Sequence, residues 1–295
     1  MTTCIALLAG ATAVAAAVRS TWSPCGLSML STITPVSERS KGHSYRSTAT
    51  WFIVGATTGG ATVGAGMALV ALVVRGIGPS PTQAGVIALL AALVAAWSDA
   101  DIWGVHLPIH RRQVNERWLD QYRAWVYGAG FGWQIGTGLF TYITTAAVYL
   151  MIVLGSLTGS PVVALVVGTG FGFLRGLAVL LTRNLVRPAD LLAFYRRLIE
   201  VGPVVGRAVI GIELASALAV AAWLRAPWAV GVAGSATLVA LLLPSYRRHR
   251  GLVAGGSCPV PSTGVNADRA PGSGAPPVRQ GTDELVARVA DGYTG

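Results

Sequence analysis

Cys25 is the residue best placed for chemistry, in the run Trp22-Ser-Pro-Cys-Gly-Leu-Ser-Met-Leu30. Pro24 cannot continue a helix but readily opens one, so Cys25 stands at the start of a helical segment. The positive end of a helix dipole favours thiolate, the nucleophilic form of cysteine. The same position also suits a small side chain buried at a kink, and residue type alone leaves both readings open. Cys4 lies too far away for a disulfide: along a helix it is ~31 Å distant, against the ~4.4–6.8 Å Cα separation such a bond needs. Cys258 belongs to the C-terminal tail and can reach Cys25 only if the site opens towards it. Three cysteines make no disulfide framework, so an exchange with another copy or with a partner thiol is equally open.

Three ionisable residues fall inside apolar stretches: Arg19, Arg175 and Glu213. Charge buried in a bilayer is costly and faces a partner or a wet cavity. Glu213, in Val209-Ile-Gly-Ile-Glu-Leu-Ala, can pair with Arg175 across neighbouring helices, as a proton or anion site or as a structural ion pair. Arg19 can instead snorkel to the interface. His106 and His110 are metal-ligand types four apart, but Pro108 between them disrupts a helical face, and no Cys or Glu completes a recognised spacing. That stretch reads as a solvated loop, and neither a metal nor another cofactor is expected. No hydrolytic constellation, phosphate-cradling loop or dinucleotide fingerprint is evident, which leaves enzymatic activity open.

The elements that must position these residues are membrane spans. The chain has 295 residues, 53% hydrophobic and only 12% charged, too few charges to cover a soluble surface of this size. Apolar runs at 4–34, 50–74, 82–98, 125–156, 161–182, 204–224 and 227–244 are long enough for the ~30 Å hydrocarbon core. Tryptophans cluster near their ends (Trp22, Trp51, Trp97, Trp125, Trp223, Trp228), as in an interfacial belt. The net charge of +10 is no nucleic-acid footprint. With the N-terminus outside, the inner loops collect Arg39, Lys41 and Arg46, then Arg111, Arg112, Arg117 and Arg123, then Arg183, Arg187, Arg196, Arg197 and Arg207. The outer connections hold only Arg75 and Arg225, as the positive-inside rule predicts for seven spans ending in the cytoplasm.

No positive residue precedes Ile5, so Met1–Ser20 reads as a span rather than a cleaved leader. Gln113–Arg123 reads as an amphipathic helix on the headgroups. Residues 1–246 are expected to form a transmembrane domain. Residues 247–295, rich in Gly, Pro and Ser, are expected to be a disordered cytoplasmic tail, with at most a short helix near Thr282–Ala290.

Segments one and four exceed the bilayer thickness, and each is interrupted. The first breaks at Ser23-Pro24-Cys25-Gly26, the fourth across the glycine run Gly128–Gly138. Similar strings then follow, Ser31-Thr32-Ile33-Thr34 and Thr141-Tyr142-Ile143-Thr144, and Trp22 and Trp133 match as well. Three spans separate the two starts, so the halves have opposite topology. Broken helices at corresponding positions of two inverted halves point to a central transporter site. The expected fold is all-α: an inverted 3+3 transmembrane repeat plus a seventh helix. Glycines repeating every four residues (Gly55/Gly59, Gly60/Gly64, Gly128/Gly132/Gly136, Gly168/Gly172/Gly176) allow close helix packing.

The stretch from Leu7 through Trp22-Ser-Pro-Cys-Gly-Leu-Ser-Met-Leu30 resembles the first helix of the cytochrome c biogenesis and thiol-disulfide interchange transmembrane family. The resemblance implies a bacterial inner-membrane protein passing reducing equivalents from cytoplasmic thioredoxin to an extracytoplasmic thiol acceptor. It implies that Cys25, behind Pro24, is the first redox cysteine. The fourth helix departs from the pattern: Gly132-Trp133-Gln134-Ile135-Gly136-Thr137-Gly138 keeps its frame, but Gly136 stands where the second cysteine belongs. Transport through an intramolecular disulfide needs both thiols. The expectation is therefore a variant forming mixed disulfides at Cys25. The alternative is a non-redox small-solute transporter, or a membrane partner subunit on the same scaffold, with Arg175 and Glu213 as polar site residues.

Overall fold

A computed structural model describes residues 2–100, 123–138, 143–225 and Gly234. The chain divides into Met1–Leu242 and Leu243–Gly295, and every described residue falls in the first unit. The described residues are helical, without strands: α1 (Thr2–Arg19), α2 (Pro24–Thr32), α3 (Pro35–Ser40), α4 (Tyr45–Ile77), α5 (Pro81–Asp99), α6 (Ala124–Thr137), α7 (Ala147–Leu157), α8 (Pro161–Leu177) and α9 (Pro188–Trp223). Short 3-10 segments follow α1 (Ser20–Trp22) and α8 (Ala178–Thr182). Among the described residues five helical stretches are long and apolar enough to cross a membrane. The chain is a multi-pass membrane protein built from helices.

Local chemistry sets the helix ends. Ser80 caps α5 reciprocally: its hydroxyl accepts from Gln83 N at 3.2 Å, and the Gln83 side chain accepts from Ser80 N at 2.9 Å. Proline occupies the first turn of α2, α3, α5, α8 and α9, where its missing N–H costs nothing. Gly78 ends α4 at φ +62°, its N–H bonding Val74 O at 3.0 Å.

The core is a close crossing of α4 with α6 and α8. A Cβ on Gly136 would collide with the backbone of Ala56, and one on Gly172 with the backbones of Ala56 and Gly60. Gly132 meets Phe52 and Ala56, and Gly168 meets Gly64. The four-residue glycine stripes are thus grooves in which helix backbones touch, gaining dispersion contacts where lipid offers no hydrophobic drive.

That packing corrects the sequence expectation for segment four. Glycines 128, 132 and 136 do not interrupt it; α6 runs unbroken through them because α4 fills the space their side chains would take. The helix stops at Gly138, φ +67°, and resumes at Ala147. Segment one does break, through the Ser20–Trp22 turn between α1 and α2.

Two further boundaries differ. The second span begins at Tyr45 rather than 50. The sixth begins at Pro188 rather than 204, so residues 188–203, expected in an inner loop, are helical. Pro203 stands inside α9, where it withholds one backbone donor. Close to this defect, the Trp22 indole donates to Leu198 O at 2.7 Å, over the space left by Gly202. His106, His110, all of the Gln113–Arg123 stretch but Arg123, Thr141-Tyr142, Cys258, the 247–295 tail and the 227–244 span, except Gly234, lie outside the described residues.

Candidate functional site

Cys25 is the second residue of α2. Ser23 precedes the helix in an extended conformation (φ −73°, ψ 154°), and its hydroxyl accepts from Gly26 N at 3.0 Å. Gly26 is required here: a Cβ would strike the carbonyl oxygens of Ser20 and Thr21, which close the preceding 3-10 turn. Cys25 is 3% exposed and Ser23 fully buried. Long-range hydrogen bonds hold this half helix in place. Tyr195 OH donates to Leu27 O at 3.2 Å, and Thr182 Oγ1 donates to Ile33 O at 2.9 Å.

Arg175 reaches Cys25 from α8. Its side chain, 4% exposed, lies within electrostatic reach of the thiol, and its guanidinium carbon sits 5.6 Å from the Phe171 ring centroid. Gly138, at the broken end of α6, completes the surroundings: a Cβ there would lie 2.9 Å from the Phe171 ring and 3.2 Å from Arg175 Nη1. Both segment breaks therefore converge on Cys25, Arg175, Phe171 and Gly138. Gly136 faces α4 instead, and Trp133 is 39% exposed on the same helix. No side chain, cysteine included, fits at 136 without parting α4 from α6. Cys4 and Cys25 are both free thiols.

The expected Arg175–Glu213 pair is replaced by two separate sites. Arg175 faces Cys25, whereas Glu213 lies within electrostatic reach of Asp99, as does Arg19. Asp99 falls one residue beyond the apolar run 82–98 and is the last residue of α5. Its carboxylate accepts from Ala146 N at 2.6 Å and from Thr145 Oγ1. Ala146 offers no capping side chain, so Asp99 caps the N-terminus of α7 from another helix, where a negative charge suits the dipole. Arg19, half-buried at the end of α1, lines a cavity of about 140 Å³ together with Asp99, Thr144, Thr145, Tyr149 and Gly206.

A third polar cluster escaped the sequence reading. Glu38, 1% exposed, accepts from Thr48 Oγ1 and Tyr127 OH, both at 2.5 Å. Lys41 Nζ sits 5.6 Å from the centroid of the Tyr127 ring. Its one sequence signal was an acid amid the basic residues Arg39, Lys41 and Arg46. No group of three or more His, Cys, Asp or Glu suited to a metal ion occurs among the described residues.

No protein-family model matches the chain, and no solved structure matches it. It is similar to the methylamine utilization protein MauF of Paracoccus denitrificans, 30% identical over 176 residues, which cover 58% of this chain and 61% of that protein. It is also similar to MauF of Paracoccus versutus, 31% identical over 168 residues, 53% of this chain and 57% of that protein. The matched region thus spans less than two thirds of each of these relatives.

Proposed function

We propose that the chain exchanges thiols and disulfides within the membrane through Cys25, in support of a methylamine utilization process like the one for which its relatives are named. The observation that carries this is a cysteine on the first turn of a capped half helix, with a buried guanidinium beside it. A helix N-terminus and a neighbouring cation are the surroundings in which cysteines act as nucleophiles.

The exchange needs no second cysteine in this chain. The Cys25 thiolate attacks an acceptor disulfide; that S–S bond breaks, and one acceptor sulfur leaves as thiolate while a mixed disulfide forms. A dithiol donor such as cytoplasmic thioredoxin attacks the Cys25 sulfur and releases the acceptor with both thiols reduced. The donor's second thiol then expels Cys25. One donor dithiol is oxidised, one acceptor disulfide is reduced, and Cys25 is regenerated. Burial of the thiol requires α2 to move before a partner enters, and Trp22, Leu27 and Ile33 are the points where that movement is restrained. The scaffold we infer is the inverted 3+3 arrangement in a bacterial inner membrane, N-terminus outside.

The test is trapping. Purified protein first carried to the Cys25–glutathione mixed disulfide with glutathione disulfide should, on adding thioredoxin that lacks its resolving cysteine, release glutathione and form a disulfide-linked adduct, lost on reduction and absent with Cys25→Ser. Equal trapping by wild type and Cys25→Ser, or no adduct with either thioredoxin or an extracytoplasmic dithiol protein, would overturn the proposal.

A further inference from the structure

The cavity at Arg19, Asp99 and Thr144 is separate from the Cys25 site, and thiol exchange makes no use of it. Four helices and the broken segment meet around it: α1 supplies Arg19, α5 supplies Ser98 and Asp99, and α9 supplies Gly206 and Ile210. Residues 143–146 and Tyr149 of α7 close the remaining side. Glu213 lies three residues beyond Ile210, so it shares the face of α9 that lines the cavity.

Glu213 is 0% exposed, and neither of its carboxyl oxygens has a hydrogen-bond partner; Asp99 lies within its electrostatic reach. The Thr144 hydroxyl, also buried and without a partner, lines the cavity itself. Unpartnered polar atoms at such depth are expensive, and a native structure keeps them where a ligand satisfies them.

Charge then limits what that ligand is. Arg19 offsets Asp99, which is already occupied in capping α7; an ionised Glu213 then needs one positive charge beside it, since no hydrogen bond or cation among the described residues stabilises it. A divalent ion would overshoot that count, and an anion would worsen it. The volume, about 140 Å³, admits a small ion with part of its water. We propose that this cavity binds one small monovalent cation, an alkali ion or an ammonium group, between Glu213, Asp99 and the Thr144 hydroxyl. Because Asp99 also caps α7, occupancy is coupled to the order of the broken segment.

The experiment uses the full chain in lipid nanodiscs, with sodium, potassium or ammonium chloride set against N-methylglucamine chloride at constant ionic strength. The unfolding midpoint of the wild type should rise and saturate with one or more of the small cations and not with N-methylglucamine; the three arms distinguish alkali ion from ammonium. Glu213→Gln, which keeps the volume and removes the charge, should abolish the ion dependence. Thr144→Val should shift saturation to higher concentration. Calorimetric titration of the cation into wild type gives a second readout, with measurable heat that Glu213→Gln lacks. Equal responses of wild type to all four salts, or the same ion dependence in Glu213→Gln, would overturn the proposal. So would a midpoint governed by pH alone and insensitive to the small cations, since a proton would then be the neutralising species.

Discussion

Two glycines in α8, two residues apart, test whether helix packing or helix propensity governs this membrane core. Gly170 has open space where a Cβ would go, with nothing within 4 Å. At Gly172 the same Cβ would lie 2.6 Å from Gly60 Cα and 2.7 Å from Gly60 N, and closer still to the Ala56 carbonyl oxygen. These neighbours are backbone atoms and cannot rotate away, so α4 and α8 must separate. Alanine is favoured over glycine inside a helix by ~1 kcal/mol. At Gly170 that gain is unopposed. At Gly172 overpacking costs ~1–3 kcal/mol. The propensity gain is common to both variants, so Gly170→Ala should unfold at or above the wild-type denaturant midpoint and Gly172→Ala below Gly170→Ala, with the overpacking cost of ~1–3 kcal/mol between the two. Titration with SDS in mixed micelles, followed by far-UV circular dichroism, measures the difference. Equal midpoints, or Gly170→Ala the weaker of the two, would refute the claim that α4 and α8 touch along their glycines.

Asp99→Ala should speed amide hydrogen exchange at the start of α7 and cost ~0.5–2 kcal/mol, the range for a lost helix cap, with Asp99→Asn milder because it keeps an acceptor; unchanged exchange at Ala146 would contradict the capping role. Tyr127→Phe should lower stability by ~1.5–3 kcal/mol, the value of a hydrogen bond to a charged group, measured in the same SDS titration, and no loss would mean that the Glu38 cluster contributes nothing to the fold. Arg175→Met should slow alkylation of Cys25 by iodoacetamide in the folded protein while leaving the Cys4 rate unaltered. Cys25 reacting at the wild-type rate in that variant would separate the guanidinium from the thiol's chemistry.

The membrane class, the helical composition and the break at Pro24 were legible in the sequence, because each follows from local rules. Hydropathy over about twenty residues, a proline at the first helical position and a serine before it act within one or two turns of chain. Cys25 stood out for the same reason. The glycine run of segment four misled because a glycine can break a helix or seat a neighbouring one. Only the presence of α4 against residues 128, 132 and 136 decides between these. The partners of the buried charges were likewise hidden. Arg175 and Glu213 looked like a pair because each lacked any other visible counterpart, but Asp99 lies at the end of α5, where it attracts Arg19 and stands near the like-charged Glu213. Glu38 and Tyr127 are 89 residues apart in the chain and meet in a single hydrogen bond. Sequence thus determined which residues were too polar for their surroundings, since that is a property of each residue and its neighbours in the chain. Which polar group faces which was decided by how the helices cross, through contacts between residues far apart in sequence.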